Sequence, residues 1–133
     1  MRRYFRPMPD YRTTCQIHAA VLAALFAAYL LLPFVPLWIF GQEALPGAVF
    51  MTRRASVVFL GIAAMLMLSR NAPRSEARQA IVIGLIIVYL GLALIGAQAT
   101  LRGIAGWLTW LTVVAELVLA ASLIPHLRSR DAA

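Results

Sequence analysis

The chain has 133 residues, 62% of them hydrophobic, and a mean hydropathy of +0.84. Soluble domains hold roughly 45–50% apolar residues, and a domain this small has too much surface to hide the excess, so a lipid bilayer is the expected solvent. The net charge of +7 comes from arginines placed between apolar runs, which points to bilayer flanks and not to nucleic acid, while the single cysteine, Cys15, excludes an internal disulfide or a site built from several thiolates.

A transmembrane helix needs about 20 mostly apolar residues. The first such run is 17–40, "IHAAVLAALFAAYLLLPFVPLWIF", with Pro33 and Pro36 expected to kink it near its end. It is too long for the apolar core of a signal peptide, and no small-residue cleavage site follows. The "RRYF" at 2–5 reads as a cytoplasmic anchor and not as a twin-arginine export signal. Ala19, Ala23 and Ala27, and likewise Ala20, Ala24 and Ala28, repeat every four residues, the spacing of a close helix-packing surface.

The second run is 47–69 and contains Arg53 and Arg54. Starting this helix after the arginines leaves it too short to cross the roughly 30 Å hydrocarbon core at 1.5 Å per residue. At least one arginine is therefore expected inside the bilayer, where it must snorkel or find a partner. Arg54 shares a face with Gly61, and glycine in a membrane helix marks close approach. Arg54 is accordingly expected to face inward and Arg53 to reach for headgroups. The "MLML" at 65–68 reads as apolar filler and not as a copper motif.

A basic loop, "SRNAPRSEARQA", covers 69–80, with Ser75 and Gln79 as a helix start. Its arginines read as solvated, with contact to anionic headgroups as the alternative. The third run is 80–100 and aligns Tyr89 with Ala93, Gly96 and Thr100. The fourth is 104–126 and places Glu116 on one stripe with Thr109, Thr112, Ala105 and Ala120. Small and hydroxyl residues on the stripe of a carboxylate mark an inward face.

Short connections predict antiparallel neighbours. The expected fold is a single-domain, all-α membrane protein over residues 1–133, an up-down bundle of four transmembrane helices. Arg2, Arg3, Arg6, Arg12, Arg70, Arg74, Arg78, Arg128 and Arg130 fall on one side, and Arg102 stands alone in a loop on the other. The positive-inside rule then places both termini in the cytoplasm of a bacterial inner membrane, with Trp38 and Trp107 near the outer interface.

An intramembrane polar cluster of Arg54, Glu116, Tyr89, Thr109, Thr112 and Tyr29 follows from these depths. Glu116 counts to about 18 Å and Arg54 to about 9 Å from the outer surface, an offset that long side chains can span. The cluster reads either as a staple that fixes helix register or as a site for a substrate, ion or proton. His18 and His126 occupy matching depths at the cytoplasmic rim, where the plain reading is interfacial histidine and the alternative is haem or metal ligation. No catalytic residue, cofactor site or metal site is assigned, because no phosphate loop, dinucleotide motif, nucleophile elbow or carboxylate pair occurs.

Around the second run stand Gly41, Phe50, Arg54, Leu60-Gly61 and, at its end, Arg70, followed by Ala77-Arg78. This pattern resembles the small four-helix bacterial membrane proteins grouped as DoxX-like. The resemblance implies four spans and, through members that look like subunits of quinone-linked oxidation systems, an accessory role. The expected function is thus a non-catalytic accessory or scaffolding subunit, bound by the bilayer and by other membrane subunits or copies of itself. The alternatives are a small-molecule or proton-coupled transporter using Arg54 and Glu116, and a haem- or quinone-binding subunit.

Overall fold

The computed structural model describes residues 9–127. Arg2, Arg3, Arg6, Arg128, Arg130 and the "RRYF" segment lie outside the described residues. Within them every regular element is helical: α1 (Tyr11–Leu31), α2 (Phe34–Ile39), α3 (Pro46–Ser69), α4 (Glu76–Leu101), α5 (Thr109–Leu123) and a 3-10 turn over Ile124–His126. Four helices are long and apolar enough to cross a membrane, with the fourth counted through the 3-10 turn to His126.

The first span differs most from expectation. It starts at Tyr11, six residues before position 17, because Asp10 caps it: the carboxylate accepts a hydrogen bond from Thr13 N at 2.8 Å. It also stops at Leu31 instead of kinking. Leu32 precedes Pro33, whose ring disfavours helical backbone in the residue before it, and Leu32 sits at φ −126° and ψ 55°. Residues 34–39 form the separate short helix α2. The third span starts at Glu76, earlier than 80, because the Ser75 hydroxyl caps it through Arg78 N. The fourth starts at Thr109, later than 104, because the chain turns through Gly103 at φ +72°.

Each long helix buries one stripe. On α1 the buried residues are Tyr11, Thr14, Cys15, His18, Ala19 and Leu22, spaced by three and four. On α4 they are Val82, Leu85, Tyr89 and Ala93. α1 lies along α3 and α4 lies along α5, with a lighter contact between α1 and α5. One core cluster joins all four helices through Tyr11, Cys15, Leu22, Leu66, Leu85 and Leu123, among others.

The end of the molecule at Phe40 and Gly106 is pinned by backbone. Gly106 N donates to Phe40 O at 2.8 Å, and Gln42 Nε2 donates to Ile104 O at 2.7 Å. Gly41 has φ +67°, and a Cβ there would lie 2.8 Å from Gly106 N. Two glycines at this crossing let the α2–α3 connection touch the α4–α5 connection directly. Gly96 has the same role between helices, since a Cβ there would meet Val113 Cγ2 at 3.1 Å.

Candidate functional site

The densest polar arrangement is centred on His18, seven residues into α1 and only 1% exposed. Its Nδ1 lies 2.9 Å from the Tyr89 hydroxyl on α4, and its Nε2 lies 2.8 Å from Ser122 Oγ on α5. The Ser122 hydroxyl donates its own proton to Leu119 O at 2.7 Å. Its oxygen is then left to accept from Nε2–H, so Nδ1 is the unprotonated nitrogen and accepts from Tyr89. The Tyr89 side chain reaches down to His18 because side chains on α4 lean toward the helix N-terminus. One imidazole thereby links three helices.

A second histidine continues the arrangement toward the end of the molecule. His126 Nε2 is 2.9 Å from Thr14 Oγ1, and the His126 ring stands edge-on to Tyr11 at 5.7 Å and 71°. The Arg78 guanidinium lies 3.7 Å from the centroid of the same Tyr11 ring. The sequence placed His18 at a rim; the structure buries it, because α1 begins a turn and a half earlier than expected. Neither ring nitrogen of His18 is free to ligate a metal or haem, and among the described residues no group of three or more His, Cys, Asp or Glu side chains gathers. Sequence reasoning missed Tyr11, Thr14 and Ser122. The signal is the three-and-four spacing of Tyr11, Thr14, Cys15 and His18, most of which lies before position 17.

The expected cluster is only partly gathered. Glu116 is half-buried, and its Oε2 is buried without a hydrogen-bond partner. Tyr29 stacks edge-on with Phe59 at 5.0 Å. Thr109 is buried with its Oγ1 unpartnered, while the Thr112 hydroxyl donates to Thr109 O at 2.8 Å. Tyr89 belongs instead with His18.

Arg54 is exposed, and no ion pair joins it to Glu116 among the described residues. The reason is the helix pairing: α3 lies along α1, whereas α5 lies along α4. Gly61, which suggested an inward face for Arg54, is exposed too, and a Cβ there would meet nothing within 4 Å. Arg53 is likewise exposed.

The alanine repeat on α1 has two fates. Ala19 is buried in the core, whereas Ala20, Ala23, Ala24 and Ala27 are exposed. Ala20 and Ala23 face Leu60 and Ala64 of α3 across an open groove of about 500 Å³, with an almost wholly apolar lining. Gly61 and Arg54 continue along the exposed part of α3. No protein-family model matches the chain, and neither does any curated protein or solved structure.

Proposed function

We propose that this chain is a small multi-pass protein of the bacterial inner membrane, an up-down bundle with both termini cytoplasmic. It serves as an accessory or scaffolding subunit without catalysis of its own, in the manner the DoxX-like resemblance implies. The observation that carries this reading is the uncovered α1–α3 groove, where small side chains leave two helix backbones open to a third. Lipid tails are as apolar as leucine, so helices associate in a bilayer by close packing over small residues and by polar contacts. The groove offers the first, and the unpaired, exposed Arg54 on the same helix offers the second.

The test is purification of the tagged full chain from native membranes under mild detergent, beside Ala23→Leu and Ala64→Leu. Both positions are exposed, so the fold should tolerate the added volume. The expected result is a co-purifying membrane protein that the wild type retains and both variants lose. Equal retention by the variants would contradict the reading.

Glu116 favours a second reading, a small carrier that takes a cation or proton at this carboxylate, whose Oε2 is buried without a partner. In that case Glu116→Gln abolishes uptake by reconstituted vesicles while leaving any partner bound.

A further inference from the structure

At the end of the molecule where α1 and α4 begin, a shallow groove of about 620 Å³ is lined by Arg12, Arg70, Arg74 and Arg78, with Asn71 and His126 among its other walls. We propose that this groove binds a phosphoryl group, that of an anionic lipid headgroup or of a free phosphate. The inference is independent of the α1–α3 groove and of any partner that docks there.

The charge balance is the first support. The lining carries four arginines and a single carboxylate, Asp10, which is engaged in capping α1 through Thr13 N. No ion pair neutralises the arginines among the described residues, so the groove keeps an excess of positive charge drawn from two segments of chain, the start of α1 and the α3–α4 connection with its flanks. Such a gathering is self-repulsive until an anion enters it.

The second support is that two of the guanidiniums are already held. Arg78 lies over the Tyr11 ring at 3.7 Å. Arg70 is anchored through Nη1, which donates to Met67 O at 2.7 Å, and its Nε is buried with no partner. Guanidiniums fixed in this way lose little freedom on binding, and their planar forks match the paired oxygens of phosphate. A carboxylate ligand would fill one fork, whereas a phosphoryl group can bridge several.

The third support is position. The groove lies just beyond Leu66 and Val82, where the buried apolar stripes of α3 and α4 give out. This is headgroup depth for a chain whose helices cross a bilayer.

Two arms test the inference on the full chain and separate the two sources. In the first, native mass spectrometry follows retention of dioleoyl phosphatidylglycerol against equimolar phosphatidylcholine. In the second, thermal unfolding in lipid-free detergent and chloride buffer is followed as inorganic phosphate is added. Selective retention of phosphatidylglycerol supports a headgroup site, and a stabilising shift with phosphate but not with chloride supports a free-phosphate site. Arg12→Gln and Arg74→Gln, both at exposed positions, should each weaken the response by about tenfold, the loss of one charge-assisted contact. Arg78→Lys keeps the charge over Tyr11 but removes the fork and should weaken it as well. Arg102→Gln, outside this lining, should leave the response unchanged. Unaltered binding by the groove variants, equal weakening by Arg102→Gln, or no response in either arm would overturn the inference.

Discussion

The His18 imidazole and the Tyr89 hydroxyl, 71 positions apart in the chain, meet at 2.9 Å in the interior. With Ser122 on the other nitrogen, the pair ties α1 to α4 and α5, two helices that α1 touches far more lightly than it does α3. Inter-helix hydrogen bonds in membranes contribute on average about 0.6 kcal/mol and up to about 1.7 kcal/mol. Tyr89→Phe removes the donor and strands Nδ1 in the core, so a loss near the upper end, about 1.5 kcal/mol, is expected in reversible detergent unfolding. His18→Ala strands both partners and opens a cavity, and should cost more than Tyr89→Phe or Ser122→Ala alone. Nitrogen NMR of His18 should show the tautomer protonated on Nε2; protonation on Nδ1 would mean that Tyr89 accepts from the ring and does not donate to it.

Arg54 and Glu116 supply a sharper test, because the sequence brought them together and the structure does not. A double-mutant cycle with Arg54→Gln and Glu116→Gln should give a coupling energy within about 0.5 kcal/mol of zero, as for separate sites. A coupling of about 1 kcal/mol or more would mean that the two side chains meet after all.

The glycines divide into those that allow contact and those that do not, and substitution should separate them. Gly41→Ala places a Cβ 2.8 Å from Gly106 N on a backbone at φ +67°. The left-handed backbone alone costs an L-residue about 1–2 kcal/mol, and the clash adds to it. Gly61→Ala meets open space and should change the stability of the isolated chain by no more than about 0.5 kcal/mol. Unfolding midpoints of the two variants check this directly. Equal losses would mean that Gly61 is packed against its own chain.

Acid should loosen the start of α1 in a defined direction. The hydrogen bonds from Thr13 hold the Asp10 carboxyl below the usual carboxylate range, its side chain contributing most and its backbone next. A lowered value in the folded chain means that the cap stabilises above the unfolded carboxylate value and is lost as pH falls through the folded one. The protection of the Thr13 and Thr14 amides, taken relative to their intrinsic exchange rate at each pH, should therefore fall on acidification in the wild type and be low at every pH in Asp10→Ala. Protection that ignores pH in the wild type would remove Asp10 from the cap.

The four long helices were legible because their signal is composition sustained over a whole span, which no single residue can hide. Their ends were less so. Position 17 looked like a start because Arg12, Thr13 and Thr14 are polar, yet one carboxylate at Asp10 suffices to begin the helix earlier. Which faces meet was beyond reach of the sequence. Gly61 and Gly96 look alike in a string of letters, but only Gly96 has another helix against it, a consequence of α4 lying along α5. The same pairing separates Arg54 from Glu116 and sends Tyr89 to His18. Ser122 carried no warning, since a serine near a helix end acquires meaning only when a distant imidazole arrives beside it.

The most direct measurement of the proposed role is site-specific photo-crosslinking in native membranes. A photoreactive side chain is placed at Ala23, in the α1–α3 groove, and at Leu94, an exposed position on α4. The expected result is a discrete adduct with one other membrane protein from position 23 and lipid adducts only from position 94. Lipid adducts alone from both positions, or the same protein adduct from each, would contradict a scaffolding subunit that holds its partner in this groove.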